Sequence, residues 1–269
     1  MPPSTAAQKS AVNSFISITG ATERTATKYL KNTSYKLNEA VDAYFQSSAG
    51  SASSQNREAQ LNKIFDSLRN DAEDAKDVLG ADSSMSYLES LGVGLEDASL
   101  FIAMELIQAP SLGEIPRAGF VKGWAEAGVE PKPEVQQAHF KRLVDAMPRD
   151  RELFRRVYRY AFVVGKEGDQ RALSLENSLI YWEMLFKKPG QAWVGRSTGV
   201  NWLNEWTTYL RDNWTRSVNR DMWNQTFEFA LKSMEDESLS FWNEDGAWPG
   251  VIDDFVAWYR RKSEMDVDA

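Results

Sequence analysis

Several features of this 269-residue chain have side chains that could do chemistry: the adjacent Asp253 and Asp254, the polar run Asn70 to Lys76, and a single histidine, His139. Paired carboxylates perform acid–base work when they share a proton. Neighbours on a helix point about 100° apart, so Asp253 and Asp254 cannot form such a dyad. The run Asn70-Asp71-Ala72-Glu73-Asp74-Ala75-Lys76 carries oxygen ligands of the kind a calcium loop uses. A calcium loop also needs glycine at its sixth place, where this chain has Ala75, and Lys76 adds an opposing charge. His139 sits in EVQQAHFKRL, an amphipathic stretch in which a lone imidazole is expected to pack or face solvent. The sequence has no glycine-rich phosphate loop. These residues predict no catalytic centre, no metal site and no cofactor.

The surroundings of Asp253 point to binding instead. In DGAWPGVIDDF, residues 245–255, Pro249 suits a helix start and two early aspartates suit its positive end. Between Ser233 and Tyr259 the chain has seven acidic residues, Glu235, Asp236, Glu237, Glu244, Asp245, Asp253 and Asp254, and no lysine or arginine. Ile252 and Phe255 are expected to face the core, with Asp253 at the edge of the buried stripe and Asp254 further out. The small pair Gly246-Ala247 leaves room for another chain. An acidic rim around a small apolar notch suits a basic, partly apolar partner. A solvated charge run is the alternative.

Composition agrees. A net charge of −8 disfavours the phosphate backbone of nucleic acid. The absence of cysteine excludes disulfides, thiolate nucleophiles and cysteine-ligated zinc. No apolar stretch is long enough to span a membrane, and the N-terminus does not read as a signal peptide. A nuclear and cytoplasmic monomer is expected.

The elements that must position these residues are helical. Val12, Phe15 and Ile16, then Arg24 to Leu30, then Leu37, Ala40, Val41, Tyr44 and Phe45 predict three short helices, with Thr19-Gly20 as a break and Thr22 as a cap. Residues 48–58 are rich in Ser and Ala and read as a flexible linker between a module at 7–47 and a larger domain at 59–263. Apolar stripes recur beyond it, among them Leu61, Ile64, Phe65 and Leu68; Met85, Leu88 and Leu91; Trp202, Trp206 and Leu210; and Trp223, Phe227 and Leu231. Alternating runs are missing, so the fold class is all-α with no substantial sheet. Most of the ten tryptophans are expected in the core.

The runs GAWPGVIDDF, NRDMWNQTFEF and IYWEMLF resemble the defective-in-cullin-neddylation family across essentially the whole chain. The resemblance implies a three-helix ubiquitin-associated-like module, followed by a potentiating-neddylation domain of EF-hand-like helix pairs without calcium. It implies a scaffold-type co-ligase with no active site of its own. Such a protein holds a cullin's C-terminal winged-helix subdomain beside the conjugating enzyme charged with the neddylation modifier. The family's Asp-Ala-Asp cullin patch falls on Asp221, Ala247 and Asp253. Its pocket for the conjugating enzyme's acetylated N-terminal Met falls on Leu88, Leu100, Ile102, Leu106, Ile115, Phe120, Val164 and Met184. The N-terminal module is a further candidate to bind ubiquitin or the modifier, although its loop Thr19-Gly20-Ala21-Thr22 lacks an apolar Met-Gly-Phe type of sequence. The rival reading is a ubiquitin-binding adaptor whose larger domain is an interaction platform without a role in transfer.

Overall fold

The computed structural model describes residues 5–45, 47–166, 168–243 and 245–267. Its elements in order are α1 (Thr5–Thr19), α2 (Glu23–Asn32), α3 (Leu37–Phe45), α4 (Ser48–Leu68), β1 (Val78–Leu79), α5 (Ala81–Leu91), α6 (Ala98–Leu106), β2 (Ile115–Pro116), α7 (Arg117–Glu126), α8 (Pro133–Ala146), α9 (Arg151–Val164), β3 (Ala172–Leu173), α10 (Leu175–Leu185), α11 (Trp202–Asn213), β4 (Val218–Asn219), α12 (Arg220–Glu235) and α13 (Gly250–Val267). Among the described residues the strands form only two antiparallel two-residue ribbons, so the fold is all-α as the periodicity predicts. No described helix is long and apolar enough to cross a membrane.

The chain divides into two compact units. The first comprises Met1–Gly92, Leu106–Ala109 and Gly113–Lys141; the second comprises Val93–Glu105, Pro110–Leu112 and Arg142–Ala269.

In the first unit, α1 to α3 close on Phe15, Ala26, Leu30, Ala40 and Tyr44, all buried. The break after α1 is Gly20 at φ +64°, a conformation that costs glycine little. Thr22 caps α2 by accepting from the Thr25 N–H. Residues 48–58, read from composition as a flexible linker, are instead the first half of α4. Alanine favours the helix, and the helix formers that follow extend it. Arg57 on α4 then reaches back and donates to the Thr19 carbonyl at 3.2 Å, satisfying an open acceptor at the end of α1. Further on, Phe120 packs edge-on against Phe65 and Tyr87. Met85, expected on a buried stripe, is 44 % exposed, and Tyr87 takes the interior position with Trp124 donating to its hydroxyl at 2.8 Å. His139 is half-buried with its ring edge toward Trp124, a packing role.

In the polar run, Asp74 turns inward rather than outward. Its carboxylate accepts from the Asn70 and Gly80 backbone N–H groups, both at 2.8 Å. The Ser83 hydroxyl is the main cause holding that carboxyl below its usual range, with these two N–H groups adding to it.

In the second unit, β3 pairs with β4, so that the helix–loop–helix α9–α10 is joined to α11–α12 through their loops in EF-hand-like fashion. Aromatic rings fill the interior. Trp182 and Trp223 stack at 5.1 Å and 14°, and Tyr158 stacks on Trp223 at 4.7 Å. Tyr158 donates its hydroxyl to the Trp223 carbonyl and accepts from the Trp182 indole, both at 2.8 Å. Trp223 in turn donates its indole N–H to the Tyr158 carbonyl at 2.9 Å. Six tryptophans, Trp124, Trp182, Trp193, Trp202, Trp206 and Trp223, are fully buried, which makes core the rule for this residue.

Candidate protein-docking site

The motif R-D-x-W fixes one end of the candidate site. Trp223 is locked between α9 and α12 by its paired bonds with Tyr158, so the first turn of α12 has a firm base. Asn219 caps that turn by accepting from the Met222 N–H at 2.8 Å. Asp221, one residue before Met222, is exposed.

The loop before α13 fixes the other end. Trp248 packs edge-on against Phe229 and Phe241, and the Gly246 N–H donates to the Asn243 carbonyl at 3.0 Å. A β-carbon on Gly246 would lie 2.9 Å from that carbonyl, so only glycine fits there comfortably. Ala247, between these two anchors, is exposed. Pro249 caps α13, its carbonyl accepting from the Ile252 N–H at 2.8 Å. Ile252 and Phe255 are fully buried, and Phe255 meets Phe229 of α12 at 5.8 Å. The loop and the start of α13 thus bring Ala247 and Asp253 onto one anchored segment. Asp221 stands on the adjoining helix, two turns or about 12 Å of rise before Phe229.

Asp254 is exposed, as expected, but Asp253 is only half-exposed. Its carboxylate accepts from the Trp242 indole N–H at 2.8 Å, and the Arg260 guanidinium covers the Trp242 ring at 4.8 Å. Sequence reading missed Trp242 and Arg260. Arg260 is seven positions after Asp253, a spacing that returns to the same helix face; nothing in the local sequence marks Trp242.

Three carboxylates of the acidic run are tied to partners within the chain. Glu235 pairs with Arg151 at 2.7 Å. Asp236 accepts from the N–H groups and hydroxyls of Ser238 and Ser240, which hold its carboxyl down at about 2. Glu237 accepts from the Ser197 and Thr198 N–H groups and from the Thr198 hydroxyl, which holds its pKa below the ordinary range. Asp236 and Glu237 fasten loops, and Glu235 ties the end of α12 to the start of α9. Asp221, Asp245 and Asp254 are left outward and Asp253 is held at the edge; Glu244 lies outside the described residues.

The pocket candidates divide. Leu88, Leu100, Ile102, Ile115, Phe120 and Val164 are buried, while Leu106 and Met184 are half-exposed. Leu88, Leu106, Ile115 and Phe120 belong to the first unit, and Leu100, Ile102, Val164 and Met184 to the second. Met184 lines a groove of about 450 Å³ with Leu179, Ile180 and Glu183.

Comparison with known proteins adds independent information. A family model described as cullin binding matches residues 135–258, a span that contains Asp221, Ala247 and Asp253. A UBA-like domain model matches residues 9–51. A Pyricularia oryzae protein named Defective in cullin neddylation protein 1 is 44% identical over 280 residues, covering 99% of this chain and 100% of its own. A Yarrowia lipolytica protein of the same name is 29% identical, covering 90% of this chain and 92% of its own. DCN1-like protein 5 of Bos taurus is 27% identical, covering 68% and 72%.

Proposed function

This chain belongs to the defective-in-cullin-neddylation family, and on that premise we propose that it acts in cullin neddylation as a non-catalytic scaffold. The scaffold binds a cullin's C-terminal winged-helix subdomain through Asp221, Ala247 and Asp253. The carrying observation is the anchored segment within the cullin-binding match: an exposed alanine followed by a carboxylate held in position by an indole N–H. Fixed acceptors around a small side chain suit a lysine or arginine that must approach closely. Asp221, on a helix start braced by the Tyr158–Trp223 bonds, supplies a second fixed charge.

The second half of the proposal is capture of the acetylated N-terminal Met of the neddylation conjugating enzyme. Its support is the family resemblance at the pocket positions, of which Leu106 and Met184 offer accessible surface. Holding both proteins at once raises their effective concentration and orients the charged enzyme toward the acceptor lysine. The N-terminal module, matched as UBA-like, is in this reading a separate site for ubiquitin or the modifier. The protein works in the nucleus and cytoplasm.

The test is calorimetric titration of a cullin winged-helix subdomain into wild type and Asp253→Asn at low and high salt. Binding that weakens with salt and falls in the variant supports the patch. Equal binding by both proteins rejects it. Absence of binding by either folded protein, with ubiquitin binding retained, favours the adaptor reading.

A further inference from the structure

The second unit carries a surface of opposite sign to the rest of the chain. α9 presents Arg156, Arg159, Tyr160 and Val163, spaced three and four residues apart and so on one helix face. α12 presents Arg220 and Asn224, one turn apart. These residues, with Glu105 and Phe162, line one groove of about 470 Å³. Phe162 is buried with the Arg220 guanidinium over its ring at 5.8 Å, and Val163 is half-exposed, so the walls are apolar and the rim is cationic.

The charge on that rim is not used up internally. Arg156 pairs with Glu105 at 3.1 Å. Arg159 and Arg220 are exposed and have no ion pair among the described residues. The ribbon extends the rim: Ala172 pairs with Asn219, so Arg171 and Arg220 flank it at the same end, and Arg171 is also exposed and without an ion pair among the described residues. In a chain of net charge −8, Arg159, Arg171 and Arg220 thus stand together with no ion pair among the described residues to offset their mutual repulsion.

We propose that the α9–α12 groove rimmed by Arg156, Arg159 and Arg220 docks an acidic peptide segment of a protein partner. Arginine forks suit carboxylates bidentately. The Asn224 amide can pair with peptide backbone, and Phe162 and Val163 offer surface for an apolar side chain between the acids. A nucleic acid or anionic membrane presents a long phosphate array, which the chain's net negative charge opposes. The groove lies at the same end of α12 as Asp221 but recognises the opposite charge, so its occupant is chemically distinct from a basic cullin residue.

The experiment uses the full chain and a fluorescein-labelled peptide alternating Glu with Leu, read by anisotropy. Wild type is expected to bind it, with affinity falling as salt rises. Arg159→Ala/Arg220→Ala is expected to bind roughly two- to thirty-fold more weakly, the range that two exposed ion pairs supply. The Gln-for-Glu peptide is expected not to bind. Arg24→Ala, on α2, is expected to bind like wild type. Thermal melts establish that both variants fold. Failure of the Glu-Leu peptide to bind, or equal binding by wild type and the double variant, overturns the proposal. Displacement of the peptide by inorganic phosphate at lower concentration than by free Glu-Leu peptide also overturns it, in favour of a phosphate site. The Asp253→Asn titration against the cullin subdomain reads a different surface, so either proposal can fail alone.

Discussion

The Trp242 indole N–H donates to the Asp253 carboxylate at 2.8 Å, which makes one aspartate both an outward charge and an inward acceptor. The two roles separate by substitution. Asp253→Asn keeps an acceptor for the indole and removes the charge; its melting temperature is expected within about 2 °C of wild type, a change of under about 1 kcal/mol for a domain of this size. Asp253→Lys loses the acceptor and sets a cation beside Arg260, which already covers Trp242. It is expected to lose about 1–3 kcal/mol, the cost of a lost bond to a charged group. Scanning calorimetry distinguishes them, and cullin affinity is expected to fall in both.

Tyr158 ties three elements together with one hydroxyl. Tyr158→Phe leaves the Trp182 N–H without its buried partner and takes a second donor from the Trp223 carbonyl, which keeps its bond within α12. The expected loss is about 1–3 kcal/mol, the cost of one orphaned buried donor. Urea unfolding would measure it, with the slope unchanged.

Alkaline pH should destabilise the fold through its buried phenols. Burial pushes the Tyr87 and Tyr158 phenols well above their ordinary values, while in the unfolded chain they ionise near about 10. The folded state therefore retains protons that the unfolded state releases. Stability from these groups is fully present below the unfolded pKa and is lost as pH rises above it, by up to about 1.4 kcal/mol per pH unit for each phenol. Melting temperatures across the range where free phenols ionise should fall steadily. A flat profile would show that these hydroxyls are not held neutral.

Arg57 should control the end of α1 rather than the existence of α4. Arg57→Ala removes the donor to the Thr19 carbonyl. The expected cost is about 0.3–1 kcal/mol, the usual value of a cation at a helix C-terminus. Hydrogen exchange should quicken in the last turn of α1 and at Ala21. Unchanged exchange there would mean that the carbonyl is satisfied without the guanidinium.

Much of this architecture was legible in the periodicity of the sequence, because stripes such as Trp202, Trp206 and Leu210 have only one way to be buried on a helix. The exceptions have physical reasons. Composition favoured a tether at residues 48–58, but helix is extended there by the residues that follow, and a window confined to Ser and Ala does not contain them. Met85 was expected on the buried stripe with Leu88 and Leu91, but Tyr87 takes the interior place, where Trp124 donates to its hydroxyl. At the candidate site, the exposure of Ala247 and Asp254 followed from loop and helix phase. The commitments of Glu235 and Glu237 did not, because Arg151 and the Ser197–Thr198 turn are distant in sequence, whereas those of Asp236 to Ser238 and Ser240 are local.

The parallel rings of Trp182 and Trp223 give this protein a spectroscopic signature. Two indoles stacked at 5.1 Å are close enough for their transitions to couple, so circular dichroism in the strong indole band should show paired lobes of opposite sign. Trp206 of α11 meets Trp182 edge-on at 5.7 Å and adds to the signal, which therefore arises where α10 and α11 meet α12, the helix on which Asp221 and Arg220 stand. Its persistence in a surface variant would report that the scaffold beneath both docking surfaces is intact, without a label, a partner or an activity assay.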